Sequence, residues 1–373
     1  MLCLGLCASF SGCAEGSAPR PDSGGRVPVA LQADLQSILD DAVAHRTTPG
    51  VVLRVTQGDD SWSTAAGVDN LEDNTPITPD EPLRAGSIIK TFVASAVLQA
   101  NERGSLKLSD LLTDRLPAAV TARIANAATI DIEMLLDHRS GIAEWVGDEV
   151  EQTAVSDPGH VWTLDEILGQ VAKQPAAFQP GERWGYSNTN YILLGEILAS
   201  ISGRSWRDVV REQVIARARL QHTTLPDVGD MECPACAHGY ISVGDELLDL
   251  TRIDPSMAGA SGGHALITTS ADLTRFFQSL RSGALFERAD TLDAMFAWQP
   301  ALDPQTRTVG YGLGVMRIES NGTTAIGNLG GTAGYRSFML YVPATDRYVT
   351  GFINVMGDLG AVLDPVLARV AKP

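Results

Sequence analysis

Apolar residues recur at helical spacing from Val27 to Ala44, through Leu31, Leu35, Ile38, Leu39 and Val43, until the breaker Thr47-Thr-Pro-Gly50 stops them. The period then changes. Val51-Val-Leu-Arg-Val55 and Trp62-Ser-Thr-Ala-Ala66, joined across a Gly-Asp-Asp turn, read as a strand hairpin. Asp69 to Pro82 reads as loop. From Ser87 to about Glu102 nothing interrupts a helix, and Gly104 is a natural stop. Between Leu106 and about Ala260 the pattern is mostly helical: Ile132–Leu136, ending at Ser140-Gly141; Leu164–Ala172; Asn188–Ile201 and Trp206–Ala218, separated by Ser202-Gly203. Thr268-Thr-Ser-Ala-Asp272 predicts the cap of a helix reaching Leu280, and Thr291–Trp298 predicts another. Strand patterning returns over Tyr311–Ile318, Thr323–Asn328, Tyr335–Val342 and Tyr348–Val355, before a last helix over about Leu359–Val370. Strands at both ends with helices between predict an α/β (α+β) protein with one sheet built from both ends. Residues 28–104 and 267–373 are expected to form the sheet domain and residues 105–266 a mostly helical insertion. No internal repeat is visible.

Composition narrows the class. The 373 residues are 44% apolar, ample for a core. A formal charge of −17 with only 28 basic residues would repel a phosphate backbone, so nucleic acid is not an expected partner. No apolar run reaches the roughly 18 residues of a spanning helix. Residues 1–13 are small and apolar and read as an export leader, although the positive stretch that opens such signals is missing, which puts the expected translation start upstream. Phe10-Ser-Gly-Cys13 resembles a bacterial lipobox, which would make Cys13 a lipidated membrane tether. Residues 14–27, rich in Gly, Pro and Ser, read as a flexible linker. The expected location is periplasmic or at the cell surface.

Candidate chemistry begins in Arg84-Ala-Gly-Ser-Ile-Ile-Lys90. Ser87 and Lys90, three apart on a helix, share a face. Serine is a weak nucleophile until a base lies within hydrogen-bond reach, and a buried lysine, left neutral, is such a base. The chain has four lysines, and only Lys90 has a serine three residues before it. Tyr186-Ser-Asn188 adds a phenol suited to shuttling a proton beside an ammonium and an amide able to orient Lys90 and a substrate carbonyl together. Taken singly, each motif reads more readily as a helix start with its cap.

The ordered series is more specific. Ser87-x-x-Lys90, Leu135-Leu-Asp-His-Arg-Ser-Gly141, Pro180-Gly181 leading to Tyr186-Ser-Asn188 and Leu194-Gly195, Gly262-Gly263 leading to Thr268-Thr-Ser-Ala-Asp-Leu273, and Tyr311-Gly-Leu-Gly314 together resemble the serine beta-lactamase-related family. That family groups class C beta-lactamases, D-alanyl-D-alanine carboxypeptidases, D-aminopeptidases and some esterases. The resemblance covers about residues 30–355. It implies an antiparallel sheet flanked by helices with a helical insertion, of the beta-lactamase/transpeptidase type. It also implies an acyl-enzyme on Ser87 served by Lys90 and Tyr186, and an oxyanion hole from the Ser87 and Gly331 amides. No metal or organic cofactor is required; the partner is a small-molecule or peptide substrate. The family's third motif, Lys-Thr-Gly or His-x-Gly, corresponds to Asn328-Leu329-Gly330. Asn328 hydrogen-bonds but carries no charge, which weakens the expected recognition of a carboxylate; Arg336 could supply a bidentate contact instead. Substrate contacts are therefore expected from Asn188, Asn328, Gly330, Gly331 and Arg336. A peptidase of D,D-carboxypeptidase type or a beta-lactamase is the leading expectation. An esterase, or a catalytically weak binding protein on account of Asn328, is the alternative.

Two other signals compete. Gly259-Ala-Ser-Gly-Gly263 matches the nucleophile elbow Gly-x-Ser-x-Gly, but Ile253-Asp-Pro-Ser-Met-Ala-Gly259 is no strand, so a glycine loop is expected. Cys233-Pro-Ala-Cys236-Ala-His238 is open to a metal, free-thiol or disulfide reading. In an exported protein the disulfide is the expectation.

Overall fold

The computed structural model describes residues 26–244, 246–257, 259 and 265–373. The leader, Cys13 and nearly all of the linker lie outside the described residues, as do most of the Gly259–Gly263 elbow match and the Gly262-Gly263 pair.

Chain order gives β1 (Gly50–Gln57), β2 (Asp60–Asn70), β3 (Thr75–Pro76), β4 (Leu83–Arg84), β5 (Tyr240–Val243), β6 (Glu246–Asp249), β7 (Ile267–Thr268), β8 (Gln299–Asp303), β9 (Thr308–Tyr311), β10 (Met316–Ser320), β11 (Thr323–Thr332), β12 (Tyr335–Val342) and β13 (Arg347–Ile353). Nine of them make one antiparallel sheet in the order β3-β2-β1-β13-β12-β11-β10-β9-β8. The N-terminal hairpin therefore docks beside the last strand, and the sheet closes from both ends of the chain. Helices cover both faces, which explains the almost unbroken apolar run of β1: Val51, Leu53 and Val55 enter one core and Val52 the other. The helices Val29–Ala44 and Gly360–Val370 pack on the first face, and Ile89–Glu102 and Ser270–Arg281 on the second. Every residue from Ile89 to Ala100 is buried, so this helix runs through the interior rather than along the surface. Phe92 stacks on Phe276 at 3.7 Å, joining it to Ser270–Arg281, which Thr269 caps by accepting the Asp272 N–H. Helices from residues 105–266 add their apolar side chains to the same core.

Several expectations shift. Ser87 belongs to a tight 3₁₀ turn, Gly86–Ile88, and the α-helix starts only at Ile89. Tyr311–Ile318 is not one strand: Gly312-Leu-Gly314 turns the chain, with Gly312 N–H donating to Val315 O at 2.9 Å, so that Tyr311 pairs with Met316. Strand β11 runs beyond Asn328 to Thr332. The short edge strands β3 and β8, the β5–β6 hairpin and the acidic helix Asp148–Ser156 were not legible, because none has a sustained apolar period. Trp206–Ala218 is helical to Val210 and then continues as a π-helical turn over Arg211–Ala216. Cys233 and Cys236 form a disulfide, and His238 pairs with Asp249 at 2.6 Å.

Candidate active site

Two glycines let β11 and the Ser87 turn meet. Gly86 has φ +57°, and a Cβ there would fall 2.7 Å from the Gly331 carbonyl oxygen; a Cβ on Gly330 would fall 2.0 Å from the Ala85 carbonyl oxygen. Only residues without side chains allow this approach. Ser337, paired with Gly330 across β11 and β12, donates to the same Ala85 oxygen at 2.8 Å. Gly331 is thus pinned beside Ser87, and both residues border the same two cavities.

Three side chains converge at this point. Lys90 Nζ lies 3.2 Å from Ser87 Oγ and donates to Asn188 Oδ1 at 2.7 Å. The Tyr186 hydroxyl donates to Ser87 Oγ at 3.0 Å. Lys90 Nζ also sits 4.8 Å from the centre of the Tyr186 ring. The helix start places Lys90; the first residues of the helix Asn188–Ser202 and the loop before it place Asn188 and Tyr186. Burial strips water from Lys90 and lowers its amine to about 7, against an opposing pull from Glu144. Burial raises the Tyr186 phenol above its ordinary range, the Ser87 hydrogen bond opposing it. At neutral pH the phenol keeps its proton while a large share of Lys90 is free amine, so Lys90 is the stronger candidate to accept the serine proton.

Glu144 and His138 were not singled out as site residues from the sequence. One carboxylate oxygen of Glu144 accepts both the Asn188 backbone N–H at 2.8 Å and its side-chain amide at 3.0 Å. The amide is thereby turned so that its oxygen faces Lys90. The only sequence signal was one acid in the run Ile142-Ala-Glu-Trp145, just past Ser140-Gly141. His138 is buried beneath Tyr186, their ring centres 4.4 Å apart.

Asn328 requires a correction as a substrate contact. It is fully buried and borders neither cavity. Its amide donates to Thr91 Oγ1 at 3.0 Å and to the Gly314 carbonyl at 3.3 Å, tying β11 to the helix Ile89–Glu102 that follows Ser87. The strand pleat turns its side chain to that helix, whereas Leu329 borders a cavity. Arg336, opposite Gly331 in the ladder, lies across it: a Cβ on Gly331 would come 2.5 Å from its Nη1.

The two cavities differ in chemistry. One, about 870 Å³, is bordered by Ser87 and Asn188 and walled mainly by apolar residues including Val155, Ile241, Leu250 and Met257. The other, about 650 Å³, is bordered by Ser87 and Tyr186 and carries Arg336, Arg307, Asp303 and Asp358. Arg307 is paired with Asp364. Among the described residues no group of three or more His, Cys, Asp or Glu is placed to hold a metal ion, and no helix is long and apolar enough to cross a membrane.

The chain is similar to known proteins over most of its length. A family model described as Beta-lactamase matches residues 35–372. Penicillin-binding protein 4 of Amycolatopsis lactamdurans is 28% identical over 366 residues, covering 91% of this chain and 94% of that protein. Esterase EstB of Burkholderia gladioli is 26% identical over 324 residues, covering 80% and 82%. The crystal structure of a D-stereospecific amidohydrolase from Streptomyces sp. superposes with a TM-score of 0.79 at 29% identity, covering 89% of this chain and 97% of that one.

Proposed function

This chain belongs to the beta-lactamase family, a serine hydrolase acting on amides or esters, and on that premise we propose that it cleaves a short peptide-like amide through an acyl-enzyme on Ser87. The observation that carries the reading is the meeting of Ser87 Oγ with Lys90 Nζ at 3.2 Å and Tyr186 Oη at 3.0 Å. The Ser87 proton passes to the free amine of Lys90 as the serine oxygen bonds to the substrate carbonyl carbon. The resulting oxyanion faces the Ser87 and Gly331 amides, a preorganised pair of donors. Tyr186 gives its proton to the leaving nitrogen as the C–N bond breaks, and Lys90 restores it. Water then attacks the acyl-enzyme by the same route and frees the acid.

The partition of the cavities orients the substrate. Tyr186, the donor to the leaving group, borders the charged cavity, so the leaving amine departs into it; the acyl portion lies along Asn188 in the apolar one. Arg336, lying across Gly331, would meet a carboxylate on the leaving amine. This supports a carboxypeptidase-like preference over a simple amidase or esterase, in keeping with the penicillin-binding and D-stereospecific relatives. Burial lowers the Arg336 guanidinium from its ordinary value, with Asp358 opposing, and it stays cationic.

A hydrolysis panel tests this: a D-Ala-D-Ala peptide, its C-terminal amide, a short-chain ester and nitrocefin. The free-carboxylate peptide is expected to have the highest kcat/KM. Arg336→Met should raise its KM about 10–100-fold, the worth of a charge-assisted hydrogen bond, and leave the C-terminal amide within about twofold. An ester turned over while both peptides resist would replace this reading with an esterase. Export with a lipid tether at Cys13 belongs to the same proposal; a Cys13→Ser chain that stays in the membrane fraction would count against it.

A further inference from the structure

We infer that His138 is a positioning residue for the reaction, holding the loop on both sides of Tyr186 so that the phenol stays on Ser87 and the Asn188 amide stays on Lys90. This rests on the reading that Tyr186 carries a proton during acyl transfer.

His138 follows the helix Ile132–Leu136, at φ +62°, and is fully buried. Three of its contacts bracket the two site residues. Its carbonyl accepts the Gly185 N–H at 2.9 Å. Its Nδ1 faces the Ser187 N–H at 3.2 Å and the Asn190 amide nitrogen at 3.1 Å. The Asn190 amide is oriented independently, because Ser140 Oγ donates to its Oδ1 at 2.6 Å; the NH₂ is thus left to donate to the ring. A nitrogen that accepts carries no proton, so the ring proton sits on Nε2. Residues 185, 187 and 190 are therefore tied to one imidazole-bearing residue, with Tyr186 and Asn188 held between them.

The ring also supports the phenol directly. It lies 4.4 Å from the Tyr186 ring, tilted by 32°, with Tyr311 meeting it at 4.9 Å and Tyr191 at 5.3 Å. The titratable groups around it are Lys90 on the nucleophile helix, Tyr186 and Tyr191 on the loop and helix above, Tyr311 at the end of β9, and Asp137 on its own loop. Burial and the charge of Lys90 hold the imidazole well below its ordinary value. Its neutrality spares Lys90 a second cation, and protonating Nδ1 would displace both donors.

The test separates the ring from the acceptor. In His138→Asn, a side-chain oxygen stands where Nδ1 stood, and Asn tolerates the left-handed backbone, but the ring is lost. In His138→Phe the ring stays and the acceptor is lost. Each is measured for kcat, KM, the pH dependence of kcat and the number of active sites titrated by a fluorophosphonate, with Tyr186→Phe alongside. His138→Asn is expected to lose about 100-fold in kcat per titrated site, the scale of a 1 Å misplacement, with KM within about threefold. Its acid limb should move to higher pH, since water entering the vacated space relieves the desolvation of Lys90. His138→Phe should lose at least as much. Wild-type kcat and pH limb per titrated site in either His138 variant would overturn the proposal, as would a loss confined to the number of sites. Full kcat in Tyr186→Phe would instead overturn the proton-carrier reading beneath it. Should neither His138 variant fold, ¹⁵N resonances of the wild-type ring decide: a proton on Nε2 supports the assignment, and one on Nδ1 overturns it.

Discussion

Ser87→Ala is expected to lower kcat by about 10⁶-fold, the scale of losing a covalent nucleophile, while thermal unfolding stays within about a degree or two of wild type. The two parts have separate causes. Ser87 sits in the 3₁₀ turn ahead of the nucleophile helix, half-buried at the meeting of two cavities, and its hydroxyl is the atom to which Lys90 and Tyr186 both turn. Alanine removes that oxygen and little else; it suits a helix start, and the Gly86–Gly331 and Gly330–Ala85 approaches that shape the turn do not involve the side chain. A fluorophosphonate or fluorescent penicillin should label wild type at one site per chain and the variant not at all. Equal labelling of both would mean that the nucleophile lies elsewhere and would sink the acyl-enzyme on Ser87.

Lys90→Met should cost about 10³–10⁴-fold in kcat/KM, the upper range for a general base. The wild-type acid limb should fall near pH 7: above it the buried amine is free to take the serine proton, and below it the amine is charged and turnover declines. Methionine fills similar space without a titrating group, so that limb should vanish from the residual activity. Stability carries the same signature. The Lys90 amine is lowered on folding from an ordinary 10.5 to about 7, so between those values the unfolded chain holds a proton that the folded chain lacks. Wild-type stability should therefore rise with pH across that window, and the variant should lack that component of the slope. Chemical denaturation at pH 7.5 and 9.5 reads the difference; identical slopes would show that Lys90 is charged in the folded state.

The legible parts of the molecule were those governed by nearby residues. The Ser87–Lys90 pair follows from a separation of three positions at a helix start, and the Tyr186–Asn188 pair from a loop feeding a helix. The chain-end strands announced themselves through β-branched runs, and the mixed order of strands and helices announced the class of fold. Resemblance then joined the pieces in order. Asn328 shows the limit. Its position in the third motif was readable, but its direction depended on which face of β11 meets the nucleophile helix, and the pleat aimed it at Thr91 and Gly314. The strand expected over Tyr311–Ile318 failed similarly, because two glycines inside an apolar run allow either a strand or the turn that packs on that helix.

The amino-acid order by itself determined the helix that carries Lys90, the spacing of Ser87 from it, the strands at both ends of the chain and the candidate reacting groups, because period, breakers and caps act over a few residues. Only the tertiary structure decided that Tyr186 reaches a serine 99 positions away, that Glu144 turns the Asn188 amide toward Lys90, that His138 lies beneath the phenol, and that Arg336 rather than Asn328 faces the cleft. Those outcomes depend on burial and on the meeting of distant segments. The same lysine is an ordinary ammonium in water, and its amine is lowered to about 7 only once the helix Ile89–Glu102 is enclosed in the core.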